Sequence, residues 1–284
     1  MHLLAALCTS GSLALTPLTD LGTHTYHGFK GGLYPGARNV PTKKYRAQGL
    51  AAARAVTPVN GKVVLLSIGM SNATMEFSAF RQLALQSGRV APDVAIVDGA
   101  QGGQDARVVA DPNSAYWPVV EQRLTAAGAT DAQVQAVWLK EAIANPSGAF
   151  PDDAKQLESY LVQIVGNLEA RFPNLKLIYL ASRTYAGYAV SSLNPEPFAY
   201  DSGFAVRWTV ARRIDGRLRG AWLGWGPYLW TNGSAGRKDG LTWTCDDVAP
   251  DGTHPSGSGQ RKVGQLLLTF FTTDPTARGW FTSG

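Results

Sequence analysis

Cysteine is nearly absent from this chain, with 2 in 284 residues, Cys8 and Cys245. The two lie far apart and match no thiolate spacing for a metal, which excludes a cysteine-built zinc site and a miniprotein stapled by disulfides. A single bridge from the N-terminal segment to the Cys245 loop and a pair of separate thiols both stay open. Long apolar runs are missing too: Val63 to Ile68 and Leu266 to Phe271 fall far short of the roughly 18 residues that cross a bilayer, so no membrane partner is expected. Charge is sparse at 17% of residues, and the net excess of +5 is spread along the chain. Its one cluster, Arg207, Arg212, Arg213, Arg217 and Arg219, reads as the solvated face of a helix, and no nucleic-acid partner is expected.

What the chain does have is apolar residues at 45%, with 31 glycines and 16 prolines, enough for a domain that builds its core without staples or metal. At the N-terminus, Leu3 to Leu7 is apolar but has no Lys or Arg ahead of it and no small-residue cleavage site. A secreted or periplasmic protein whose signal is not visible in this chain is expected. Residues 1–60, rich in Gly, Pro, Thr and Tyr, read as an irregular N-terminal extension packed on the domain of residues 61–284, with a short helix around Tyr45 to Ala55.

From there the pattern is regular. Lys62 to Ile68, Val94 to Val97, Val134 to Leu139 and Leu175 to Ala181 are apolar throughout, as strands buried on both faces are, and a short strand follows at Ala221 to Leu223. Helical periodicity fills the gaps at Glu76 to Leu85, Ser114 to Ala126, Asp153 to Arg171 and Phe204 to Leu218, and again at Gly259 to Phe271. This alternation demands an α/β fold, a three-layer α/β/α sandwich on a parallel, flavodoxin-like sheet. Ligands in such sheets bind beyond the carboxyl ends of the strands.

The residues capable of chemistry fall at those ends. Ser71 follows the first strand in Gly69-Met70-Ser71-Asn72, where it is either a helix N-cap or a nucleophile facing the free N–H groups of a helix start. Directly ahead of the last helix, Pro250-Asp251-Gly252-Thr253-His254-Pro255 sets an Asp three residues before a His. That spacing lets the carboxylate accept a hydrogen bond from Nδ1–H and leaves Nε2 as a base, although the same residues also make a polar turn. The second strand runs into Asp98-Gly99-Ala100-Gln101-Gly102-Gly103-Gln104, a glycine-rich exit without the form of a phosphate loop. His24 and His27 have no third ligand in sequence, so no metal and no cofactor is expected.

In chain order, these three pieces resemble the SGNH (GDSL-like) hydrolase superfamily over roughly Lys62 to Phe271. Ser71 matches the nucleophile block, with Met70 where the family commonly has Asp. Gly103 matches the oxyanion-hole glycine of the second block, which opens here with Asp98 instead of Asn. Asp251 and His254 match the Asp-x-x-His of the last block. The resemblance implies a cofactor-free serine esterase in which Ser71 attacks, His254 carries the proton, Asp251 orients His254, and the N–H groups of Ser71 and Gly103 hold the oxyanion. The family's third-block Asn is missing after the third strand, where Lys140 is the nearest candidate to take its place, the alternative being a structural or substrate-contacting lysine. An α/β-hydrolase elbow fits less well, since Gly69-Met70-Ser71-Asn72-Ala73 lacks the second glycine.

Aromatics crowd the segment before Asp251, and Trp225, Trp230 and Trp243 are candidates to stack on a substrate ring. Together with the family's polysaccharide deacetylases, they point to a carbohydrate O-acetyl ester, or an aryl-acyl one. An acyltransferase using the same residues and a non-catalytic glycan-binding module remain as alternatives.

Overall fold

The computed structural model describes residues 13–283. Cys8 and Leu3 to Leu7 lie outside the described residues, and with them the choice between a Cys8–Cys245 bridge and separate thiols. Among the described residues, no helix is long and apolar enough to cross a membrane.

Five strands, β1 (Val63–Gly69), β2 (Val94–Asp98), β3 (Val134–Lys140), β4 (Leu177–Ala181) and β5 (Trp222–Trp225), form one sheet in the order β2-β1-β3-β4-β5. Every pairing is parallel. The continuous apolar runs become strands because β1, β3, β4 and β5 are buried along their whole length, and only helices on both faces can enclose such strands.

The helices are α1 (Lys43–Arg54), α2 (Ser71–Gln86), α3 (Ala106–Ala110), α4 (Tyr116–Ala126), α5 (Asp152–Arg171), α6 (Phe198–Ile214) and α7 (Gly257–Thr273). α2 packs on α7 across one face, while α5 packs on α6 and α3 across the other. This is the three-layer α/β/α sandwich that the alternation of elements requires. The helix expected at Phe204 to Leu218 instead runs from Phe198 to Ile214, because Pro197 supplies its N-cap and Asp215 and Gly216 end it. The short α3 was not legible from periodicity, being too brief to show a stripe.

Register decides where the strands end relative to one another. Gly69 pairs with Lys140, and Lys140 with Ala181, so β1, β3 and β4 finish on one row. Whatever follows each of them emerges at a common edge.

The segment from Leu13 to Pro41 binds the far side of the sheet. Trp225 donates its indole N–H to Leu33 O at 2.7 Å and its backbone N–H to the Tyr34 hydroxyl at 3.2 Å. Leu18 N donates to the Tyr228 hydroxyl, and the Asn232 side chain holds the carbonyls of Leu13 and Leu15. These contacts cover β5, which would otherwise be an open edge. The arginine cluster is largely tied down as well: Arg212 pairs with Glu158, Arg213 holds the carbonyls of Gly220 and Ala221, and Arg207 reaches Lys30 O.

One carboxyl in α6 works against stability. Asp201 is buried with the Tyr26 hydroxyl beside it, and among the described residues neither of its oxygens is in a well-formed hydrogen bond. Burial pushes it up to about 7, above the ordinary value of about 4. The folded chain therefore keeps this proton where the unfolded chain has released it, and stability falls as pH rises from about 4 to about 7. Asp201→Asn is expected to raise Tm by a few degrees at about pH 8, where about 1 kcal/mol corresponds to roughly 2–4 °C, and far less at about pH 4. Thermal unfolding at the two pH values checks this, and an equal gain at both would contradict it.

Candidate active site

β1 ends at Gly69, where the chain must turn sharply into α2. A Cβ at Gly69 would stand 2.4 Å from both the Ala73 Cβ and Lys140 O, so only glycine permits this close turn. The Tyr116 hydroxyl, wholly buried, accepts from Gly69 N and donates to Gly69 O, which satisfies the strand end without water. Met70 then stands at the N-cap in extended conformation, and its side chain makes no capping bond. Ser71 is the first residue of α2. Its hydroxyl is thus not spent on capping the helix, and instead it lies 2.8 Å from His254 Nε2.

The partner loop is built from its own backbone. Asp251 Oδ1 accepts from the N–H groups of Thr253 and His254, each at 3.0 Å, which folds the carboxylate back over the ring. Oδ2 then sits 2.5 Å from His254 Nδ1. This fixes the tautomer: the proton belongs on Nδ1, and Nε2 presents its lone pair to the Ser71 hydroxyl. Burial pushes the Asp251 carboxyl up, but the hydrogen bonds from the His254 ring and from the two backbone N–H groups outweigh it and hold it below the usual carboxylate range. It therefore stays ionised and able to stabilise an imidazolium.

Three contacts lock the loop in place. The buried Asn72 side chain donates to Thr253 O at 2.9 Å, tying the residue after Ser71 to the residue before His254. Val190 N donates to Asp251 O at 3.1 Å. Gly252, at φ +65°, packs so closely that a Cβ would lie 1.7 Å from Tyr188 O. Ser256 caps α7 directly beyond, accepting from Ser258 N and Gly259 N. The other nearby carboxylate, Asp247, is held by Lys262, Ser258 and Thr244.

Gly103 lies in the loop beyond β2, exposed, at φ +74° and with open space above its Cα. Asp98, which opens that loop, is a brace: it accepts from Ser67 Oγ at 2.5 Å, Ser78 Oγ at 3.0 Å, Ala100 N at 3.1 Å and the Thr74 hydroxyl. It clamps β1, α2 and the Gly103 loop together.

Two groups of expected site residues are placed elsewhere. Lys140 is not an open oxyanion donor. Its side chain is 1% exposed, and Nζ sits 2.6 and 2.5 Å from the two oxygens of Glu76, itself 0% exposed. The ammonium is spent on a buried ion pair that pins α2 to the end of β3. Burial draws it down to about 8, even though Glu76 favours the charged form. Trp225, Trp230 and Trp243 are buried, not displayed for stacking. Trp225 serves the Leu33–Tyr34 segment, Trp230 donates to Glu196 at 2.7 Å, and Trp243 lies beneath Lys262 and against Gly259. Apolar rings next to edge elements found more contact area inside than outside. His24 and His27 are exposed, and among the described residues no group of three or more metal-ligating side chains is assembled. Glu76 and Asn72 were not recognisable as site-forming residues, since only the register and the α2–loop packing give them partners.

No family model and no curated protein matches the chain. Solved structures do. The chain is similar to a lipopolysaccharide acetyltransferase periplasmic domain of Salmonella ser. Paratyphi A, at 15% identity and TM-score 0.44 over 81% of this chain and 97% of that one. It is similar to protein YXIM of Bacillus subtilis, at 12% identity and TM-score 0.44 over 76% of this chain but 57% of that one. It is also similar to a salicylyl-acyltransferase from a tetracycline biosynthetic pathway, at 15% identity and TM-score 0.40 over 76% of this chain and 56% of that one. The chain thus spans little more than half the length of two of these proteins.

Removing one member of the buried pair leaves a charge with nothing to balance it, which typically costs about 3–5 kcal/mol, whereas removing both is often nearly neutral. Glu76→Gln is expected to lose stability in that range, and Glu76→Gln with Lys140→Met to regain most of it. Urea unfolding of the two variants checks this, and additive losses would mean that the pair is not coupled.

Proposed function

We propose that this chain is a cofactor-free serine enzyme that hydrolyses carboxylic esters. One observation carries the reading: the unbroken relay from Ser71 Oγ to His254 Nε2 at 2.8 Å and from His254 Nδ1 to Asp251 at 2.5 Å. A polar turn explains neither the second nitrogen of the ring nor the pairing of residues 183 positions apart.

In this reading Ser71 Oγ bonds to the ester carbonyl carbon as its proton passes to His254 Nε2. The Asp251 carboxylate holds the resulting imidazolium. The carbonyl oxygen, now an anion, meets the N–H of Ser71 at the start of α2 and that of Gly103. On collapse, the carbon–alkoxy bond breaks and the leaving oxygen takes the proton from Nε2. Water then repeats the sequence on the acyl-serine: its proton goes to Nε2, its oxygen to the acyl carbon, and the proton returns to Ser71 as the acid departs. An acceptor hydroxyl in place of that water would give acyl transfer with the same residues. The glycan part of the expectation rested on the resemblance together with tryptophans that the fold buries, so the proposal names esters and no particular alcohol.

Ser71→Ala is expected to abolish release of acid from aryl acetates with the fold intact, since the hydroxyl makes no helix cap. His254→Ala should cost as much, and the double variant little more, because nucleophile and base act as one unit. Asp251→Asn should be less severe than either. Steady-state kinetics beside circular dichroism checks all four, and near-normal turnover in Ser71→Ala would overturn the assignment.

A further inference from the structure

Two residues beyond the end of β4, at the same sheet edge, stands Arg183. Ala181 pairs in register with Lys140 and Lys140 with Gly69, so Arg183 leaves its strand at the same step as Ser71, two strands away. That is about 10 Å across the sheet. Its backbone is fixed, because Arg183 N donates to Ser202 Oγ at 3.1 Å, and Ser202 in turn donates to Ala199 O. The loop it begins also carries Val190, whose N–H holds Asp251 O. Arg183 thus belongs to the segment that braces the histidine loop.

The side chain is 2% exposed and among the largest fully enclosed ones in the protein. Its Nε is sealed off without a hydrogen-bond partner, and among the described residues none accepts from the guanidinium or forms an ion pair with it. Three of the neighbouring carboxylates are engaged elsewhere. Glu76 is taken by Lys140, Glu196 by Ala186 N, Tyr200 N and the Trp230 indole, and Asp251 by His254. The fourth, Glu141, gives Oε2 to Ala142 N, while its Oε1 is buried without a hydrogen-bond partner and forms no ion pair with Arg183. All four carboxylates favour the charged guanidinium against burial, which lowers it. A buried arginine is a cation with five donors, and leaving those donors unmet is costly unless something completes them.

Resting on the serine-ester reading, we propose that Arg183 is a built anion site that receives an anionic oxygen of the bound ester beside Ser71 and His254. The fork of a guanidinium suits a carboxylate or a tetrahedral oxyanion, either of which would meet its open donors. The oxygen has two possible sources: the oxyanion that develops on the acyl carbon, for which Lys140 supplies no donor, or a permanent carboxylate on the substrate.

Kinetics with phenyl acetate, phenyl hydrogen succinate and 4-acetoxybenzoate separates the sources. If the oxyanion is the ligand, Arg183→Met lowers kcat by about 10²- to 10³-fold on all three esters, with KM little changed. If a substrate carboxylate is the ligand, the wild type prefers a charged ester, and the variant loses about tenfold or more in kcat/KM on that ester alone. Values within about twofold of wild type on all three overturn the proposal, while Ser71→Ala still decides the serine reading separately. Arg183→Gln serves in the same way if Arg183→Met does not fold. Independently of turnover, calorimetry on Ser71→Ala protein with phenylphosphonate and succinate is expected to show binding that weakens about tenfold or more when Arg183→Gln is added. Equal binding with and without the arginine, or no binding of either anion, overturns the proposal.

Discussion

The ion pair between Glu76 and Lys140 is a contact through which the sheet and α2 share one geometry. Lys140 ends the central strand β3, in register with Gly69 on one side and Ala181 on the other. Glu76 lies on α2, five positions after Ser71. With both charges withdrawn from water, neither can leave the other without exposing an unpaired ion in a low-dielectric interior, so the helix cannot slide along the sheet. The position of the Ser71 hydroxyl is therefore set by the end of a strand two segments later in the chain.

Around that anchor, many polar groups at the carboxyl edge are matched, while Asn72 Oδ1, Glu141 Oε1 and Arg183 Nε are buried without a partner among the described residues. Tyr116 satisfies both backbone groups of Gly69, Asp98 gathers four donors from three elements, Asn72 binds the histidine loop, and Glu196 takes Ala186 N from the loop beyond β4, Tyr200 N from α6 and the Trp230 indole from beyond β5. Matched networks of this kind hold side chains more firmly than apolar packing does, because each member has a direction as well as a distance. Such rigidity suits an acyl-transfer centre, where donors must already point at the oxygen before charge develops on it. Against this background, the guanidinium of Arg183, with its donors unmet, marks the place where a ligand completes the network.

The N-terminal segment explains the fate of the aromatics. β5 is an edge strand, and its two tryptophans reach Tyr45 in α1 and Leu33 in the segment before it. Trp222 donates to Tyr45 O and Trp225 to Leu33 O, so each indole joins the strand to the chain that covers it. A ring that meets both an apolar surface and a carbonyl acceptor is better placed there than in water.

The sheet, its helices and the Asp251–His254 pair were legible in the sequence for a local reason, whereas Ser71 was joined to that pair only by the resemblance to the SGNH superfamily. Apolar runs without alternation can only be strands covered on both faces, and an Asp three residues before a His can close on the ring through its own turn. Contacts across the sheet were not legible. Lys140 read either as an oxyanion donor or as a structural lysine, Trp225, Trp230 and Trp243 either as stacking candidates or as core, and nothing singled out Arg183 or Glu76, because the identity of a charged or aromatic side chain does not say what stands opposite it. Strand register and helix packing settled that, pairing Lys140 with Glu76, burying the rings and leaving Arg183 without an acceptor. Sequence determined which residues reach the carboxyl edge, since strand length and turn chemistry are local. Tertiary structure decided which of them are spent on one another, since desolvation and pairing depend on neighbours far away in the chain.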